Sequence, residues 1–89
     1  MKAVVPVVGK DQVGIIAAVC NKLAQYNVNV LDISQTVMQG YFTMMMVVDA
    51  SGCSVPLAEL VTDMEDMGKE KGLSIRVQRE DIFEAMHRI

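Results

Sequence analysis

Cysteine, histidine and aromatic residues are scarce in this 89-residue chain, and each shortage removes a class of function. The two cysteines, Cys20 and Cys53, stand far apart and form no C-x-x-C. That excludes a disulfide framework, a structural zinc site and an iron–sulfur site. Free thiols fit a reducing compartment, so a cytoplasmic protein is expected. His87 is the only histidine, so histidine-based catalysis would have to come from the tail. No apolar run approaches the ~18–20 residues of a membrane span, and no membrane contact is expected. The start, Met1-Lys2-Ala3-Val4-Val5-Pro6, lacks the long apolar stretch and cleavage site of a signal peptide, so none is expected. There is no low-complexity segment, no linker and no sequence repeat.

Positive charge is also short. Eight Lys and Arg stand against 11 Asp and Glu, a net charge of −3. A pI near 4.9 disfavours a nucleic-acid grip by bulk electrostatics. The first half is balanced, with Lys2, Lys10 and Lys22 against Asp11, Asp32 and Asp49. The deficit falls mostly on one predicted helix further on. With 52% hydrophobic and 21% charged residues, disorder is excluded. A chain of 9.8 kDa is one small domain. At this length roughly 60–65% of the extended chain's surface can be buried, a thin core that a partner surface would help.

Residue spacing predicts the elements. Lys2–Val8 is apolar and β-branched, a buried strand whose Pro6 should sit where no ladder N–H is needed. Gly9-Lys10-Asp11-Gln12-Val13-Gly14 reads as a loop, with Asp11 as helix N-cap. A helix then runs to about Tyr26, with Ile15, Val19 and Leu23 on its apolar stripe. Asn29–Met38 is a second strand, with Leu31, Ile33 and Val37 on one face and Asp32, Ser34 and Thr36 on the other. Gln39-Gly40 supplies a hairpin turn and Tyr41–Asp49 the third strand. That strand is apolar on both faces and should be covered on both. Ser54 is a candidate cap for a helix with Leu57, Leu60, Val61, Met64 and Met67 inside and Gly72 as C′ residue. Leu73–Glu80 is the fourth strand. A tail helix over 81–89 carries Ile82, Phe83, Met86 and Ile89 on one side. The order β-α-β-β-α-β predicts an α+β, ferredoxin-like fold: a four-stranded antiparallel sheet with both helices on one face.

This architecture hosts many functions, so positions decide. A metallochaperone needs C-x-x-C in the first loop, which has no cysteine. An RNA-binding sheet needs aromatics and basic charge on its central strands. An acylphosphatase-like enzyme needs an Arg in the first loop, which offers only Lys10. The first loop stays informative. A glycine at position 14 lowers helix propensity by ~1 kcal/mol relative to Ala. It also opens first-turn amides to close approach by a carboxylate. Close packing of helix on strand explains the same glycine equally well. Likewise Asp11 is either a plain cap or a ligand contact, and Asn29 either a turn residue or a contact. Gln35 breaks the apolar face of the second strand, as an interface residue would. The eight methionines read as core filling, Cys20 as a small buried hydrophobe and Cys53 as an exposed loop thiol.

Gly9-x-Asp11-x-x-Gly14-Ile15-x-Ala17, then Leu23-Ala24, then Asn29-Val30-x-Asp32-Ile33, resembles the ACT domain family. The likeness extends to small stand-alone ACT proteins of bacteria and archaea. It also covers the ACT modules of the glycine-cleavage repressor and of formyltetrahydrofolate deformylase. It implies one ACT-like domain over residues 1–89, with a core over 2–80. It further implies a homodimer, often with sheets side by side, and a small effector held at the interface. Contacts would come from the first loop of one subunit and the start of the second strand of the other. Carried onto this chain, the ligand-binding residues are Lys10, Asp11, Gln12, Val13, Gly14, Ile15 and Asn29. Where many members carry proline before the glycine, this chain has Val13. Asp11 in place of a neutral Asn either repels an effector carboxylate or selects its ammonium group.

The resulting expectation is a non-catalytic regulatory module that binds an amino acid, without metal or cofactor. The rival expectation is an interaction subunit without a small ligand, docking on a metabolic enzyme or regulator. A minor phosphate-handling enzyme dependent on Lys10 is a third.

Overall fold

The structure is a computed structural model that describes residues 1–80. The tail helix expected over 81–89, and His87 with it, lies outside the described residues. In chain order the elements are β1 (Lys2–Lys10), α1 (Ile15–Gln25), β2 (Asn29–Met38), β3 (Tyr41–Asp49), α2 (Leu57–Lys71), β4 (Leu73–Ile75) and β5 (Gln78–Arg79). The strands make one antiparallel sheet in the order β2-β3-β1-β4, with β5 also on β1. The ferredoxin-like arrangement is therefore the fold.

Alternation builds its core. Ala3, Val5 and Val7 of β1 and Phe42, Met44, Met46 and Val48 of β3 project to one side, all buried. Ile15, Val19 and Leu23 of α1 and Leu60 and Met64 of α2 pack on them. Gln39 and Gly40 both have positive φ, +52° and +81°, which defines the type I′ turn joining β2 to β3.

Several expectations need correction. The cap of α1 is Gly14, left-handed at φ +87°, and no side chain caps it; Asp11 does not. Asp11 is held instead through its backbone, whose N–H donates to the Gly40 carbonyl at 2.8 Å, so β1 extends to Lys10 and the helix starts later. Ser54 does not cap α2 either. Pro56 stands at that position, and a proline disfavours helical backbone in the residue before it. The Ser54 N–H instead donates to the Tyr26 carbonyl at 2.9 Å.

The fourth strand is broken. Arg76 donates its N–H to the Pro6 carbonyl at 3.2 Å, and Pro6 has no N–H to return. The reciprocal ladder bond cannot form, and the strand splits into β4 and β5 on either side of Arg76 and Val77. Pro6 thus sits mid-ladder, not where its donor is unneeded. Among the described residues, only the helix side of β3 is covered. Its helix side is buried, whereas Met45 and Tyr41 on the other side are exposed, as is Val8 beside them. The second strand also carries a bulge: Leu31 is an extra residue between Val30 and Asp32, so Val30 takes the core-facing place.

Helix α2 approaches β4 closely at Gly68. A Cβ there would stand 2.7 Å from the Leu73 carbonyl oxygen and 3.2 Å from Ile75 Cγ1. Backbone cannot swing aside as a side chain does. Gly68→Ala should therefore destabilise by about 1–3 kcal/mol. At roughly 4–8 °C per kcal/mol, thermal unfolding resolves this, and an unchanged Tm would show that the approach is looser.

Candidate functional site

A groove of about 460 Å³ opens where β1 leaves the sheet and α1 begins. One wall is Asp11, Gln12 and Gly14 with Ile15, Ile16 and Ala17 of the first helical turn. The other is Gln35, Thr36 and Val37 of β2, with Phe42 of β3 at the base. The loop is fixed at two points. Asp11 is bonded to the hairpin turn as above, and Gln12 Nε2 donates to the Lys71 carbonyl at 2.9 Å. The second bond ties the groove to the last turn of α2.

The helix start gives the groove its polarity. The Gly14 carbonyl accepts from the Ala18 N–H at 2.9 Å, so the amides of Ile15, Ile16 and Ala17 precede the helical ladder. No acidic residue lies in that first turn and no side chain caps it. The positive end of the α1 dipole therefore faces the groove without a local counter-charge from the helix. Asp11 is an exposed carboxylate on the rim. Ile15, Val37 and Phe42 supply apolar surface. The arrangement suits a small ligand with one anionic end and an apolar part.

Of the residues suggested by sequence, Asp11, Gln12, Gly14 and Ile15 come together here. Lys10 and Val13 do not line the groove; Val13 is fully exposed. Asn29 pairs with Asp49 at the opposite end of β2. Within one chain it cannot reach the groove. The lining residues absent from the sequence-based set are Ile16, Ala17, Gln35, Thr36, Val37 and Phe42. Gln35 alone left a signal, as the polar break in an apolar face.

A second groove of about 400 Å³ runs between Glu65 and Lys69 of α2 and residues 73–78. Its charges are mixed. Among the described residues, no cluster of His, Cys, Asp or Glu could hold a metal ion, and no helix is long and apolar enough to cross a membrane. Cys20 and Cys53 are both half-buried against the core, so Cys53 is less exposed than expected.

The groups with displaced proton affinities lie elsewhere. Tyr26, at the end of α1, donates its hydroxyl to Asp63 of α2. That hydrogen bond, followed by desolvation and the nearby Asp63 charge, raises the phenol above its ordinary 10.0. Asp49 is lowered, first by its bonds to Ser51, including the Ser51 N–H at 2.9 Å. Its stabilising effect is thus present above 3.8 and lost as pH falls through the lowered value. For Tyr26 the sign reverses. Its contribution is full below pH 10.0 and disappears as pH rises through the raised folded value. Tyr26→Phe should therefore lower Tm at neutral pH and flatten the alkaline limb of a Tm-against-pH profile. An unaltered alkaline limb would show that the Tyr26–Asp63 bond does not carry it.

Comparison with known proteins agrees with this geometry. A family model described as the ACT domain matches residues 2–78. A UPF0237 protein of Bifidobacterium longum is 56% identical over 88 residues, covering 99% of this chain and 98% of its own. The solved structure of an ACT domain protein from Streptococcus pneumoniae superposes with a TM-score of 0.82 at 44% identity, covering 98% of both chains. A putative glycine cleavage system transcriptional repressor shares the fold, with a TM-score of 0.73 at 22% identity. The match covers 86% of this chain and 44% of that one.

Proposed function

This chain belongs to the ACT domain family, and on that footing we propose that it is a non-catalytic regulatory module. It binds a small effector, an amino acid, as a cytoplasmic homodimer. One observation carries the reading. The groove beside α1 shares a wall with β2, a ten-residue edge strand that is exposed along its length except at Val30. A ligand seated there is half enclosed by one chain. A second chain on the β2 edge would complete the enclosure.

The chemistry supports an amino acid. Its carboxylate meets the free amides of Ile15–Ala17, aided by the helix dipole. Its ammonium group meets the Asp11 carboxylate on the rim, an arrangement that favours selection of the effector over repulsion. Its side chain lies over Ile15, Val37 and Phe42. Asp11, Gln12, Gly14 and Ile15 are the contacts from one chain. Asn29 contributes only as the partner's residue, because it stands at the far end of its own strand. Lys10 and Val13 act through the loop's shape.

A thermal-shift screen against the common amino acids tests this. An effector present at 100 Kd adds ~2.7 kcal/mol to folding when it binds only the native state. Asp11→Asn should weaken that effector at least tenfold by calorimetry, and light scattering should report a dimer. Silence toward every amino acid would overturn the effector reading.

The rival reading, an interaction subunit, rests on the uncovered sheet face. Val8, Met38, Tyr41 and Met45 are all exposed there. A lone patch of this kind marks a protein-contact surface. Stable co-elution with an enzyme or regulator, together with silence toward small molecules, would establish that reading instead.

A further inference from the structure

We propose that the chain's own segment 81–89 folds back as an amphipathic helix over the sheet face opposite α1 and α2, with Ile82 against Val4 and Val47 and Met86 against Pro6 and Met45. The effector groove takes no part in this.

That face carries an apolar stripe. Val4, Pro6 and Val8 of β1 alternate with the core residues Ala3, Val5 and Val7, so they point away from the helices. Val47 and Met45 of β3 stand opposite Val4 and Pro6 and share their face. Polar residues bound the stripe on both sides. Asp32, Ser34 and Thr36 of β2 pair with Val47, Met45 and Thr43, while Ser74 and Gln78 pair with Val8 and Val4. The stripe is two strands wide, about 10 Å, and ~13 Å long from Val4 to Val8. Those are the dimensions of one short helix. A second copy stacked face to face would need roughly 800 Å² per partner, several times this footprint.

One end of the stripe is already covered. Val4 is 5% exposed, although it is no member of the core cluster under the helices. Flanking strands do not account for that. Val8 lies on the same strand and face, also between β3 and β4, and is 46% exposed. Met1 does not account for it either, since it continues the β1 ladder, its carbonyl accepting from the Ala50 N–H at 2.8 Å. Exposure rises from Val4 through Met45, at 36%, to Val8. The cover therefore enters at the Val4 end.

The chain leaves the sheet at that same end. β5 runs antiparallel to β1 and pairs Gln78 with Val4 and Arg79 with Ala3. Ile82 follows Arg79 by three residues, a reach of up to ~10 Å, enough to rise off the sheet and turn back over Val4. Ile82, Met86 and Ile89 recur at i, i+4 and i+7 with Phe83 beside them, the apolar side of a helix. Asp81, Glu84, His87 and Arg88 fall on its other side, toward water. Four helical residues advance ~6 Å. Two strand residues advance ~6.6 Å. Met86 thus follows Ile82 as Pro6 follows Val4, and Ile89 stops short of Val8, where exposure is greatest. The consequence bears on the interaction-subunit reading. The stripe belongs to this chain's own tail, and only Met38 and Tyr41 beside the turn stay open to a partner.

Nuclear Overhauser contacts in the unaltered chain read this directly. The Val4 methyls should contact Ile82 or Phe83, and the Met45 methyl that of Met86. In an equal mixture of labelled and unlabelled chains, these contacts should vanish from the spectrum filtered for pairs between chains. Ile82→Asp together with Met86→Asp should speed peroxide oxidation of Met45 at least threefold by mass spectrometry, with Met38, beyond the stripe, unchanged. Should Met38 speed up as well, the variant has unfolded and the contacts in the unaltered chain decide. Contacts found only between chains would give the stripe to a second copy's tail. Their absence, or an unchanged Met45 rate, would leave it to a partner or to water. Each of these results overturns the proposal and leaves the amino-acid screen, and the effector reading, untouched.

Discussion

The nine-residue pairing of β1 with β3, from Lys2 against Asp49 to Lys10 against Tyr41, sets where everything else can go. It brings the exit of β1 level with the β2–β3 turn. The Asp11 N–H can then reach the Gly40 carbonyl, and the first loop is pinned across the top of the sheet. From that point α1 must run back over the buried side. Its first turn necessarily lies beside the last residues of β2. The groove is the space left between a helix that begins there and a strand that ends there. No residue of the groove had to be placed individually.

Conformation at one residue then decides the chemistry of that space. Gly14 takes a left-handed φ of +87°, and no atom lies within 4 Å of where its Cβ would be. An L-residue would fit sterically with its surroundings and still be strained by its own backbone. Since Gly14 has no side chain, it caps the helix without occupying its first amides. An Asp or Ser at the cap would satisfy one of those donors and place an oxygen in the groove. The closing of the loop and the openness of the helix terminus thus have one origin. The start of α2 differs: Pro56 stands at its cap, it lines neither of the two grooves described above, and it carries Glu59 in its first turn.

How much of this the sequence reveals depends on range. Local signals are clear: the type I′ turn at Gln39-Gly40, the alternation along β1 and β3, and the Gly72 end of α2, left-handed at φ +71°. The break at Arg76 and Val77 is not local. It requires knowing that Arg76 falls opposite Pro6, and only the assembled register supplies that. Asp11 had the composition of an N-cap, yet its backbone is claimed by a carbonyl from a different hairpin. The bulge at Leu31 moved one residue off an otherwise regular alternation. In the groove, Asp11, Gln12, Gly14 and Ile15 are neighbours in sequence and were legible together. Val37 and Phe42 join them only through strand order, and no spacing rule connects positions so distant. Gln35 was visible as an anomaly, a polar residue on an apolar face, without indicating what it faced.

That anomaly makes sense once the width of the sheet is compared with its cover. Two helices shield one face of β1 and β3, and most of β2 lies outside them. Its Ile33, Gln35 and Val37 share a face with the buried core residues and remain exposed. A wholly apolar edge there would invite unselective association. A wholly polar one would lose the contact with α1 on which the groove wall depends. The observed pattern, two apolar residues around an amide, keeps both a groove wall and a selective edge. Because Gln35 and Val37 line the groove and also lie on the exposed edge strand, groove wall and sheet edge share one strand. On the proposed reading, a ligand that orders Gln35 and Val37 would stiffen the edge offered to a second chain, so that binding and association on β2 would strengthen each other by the same factor.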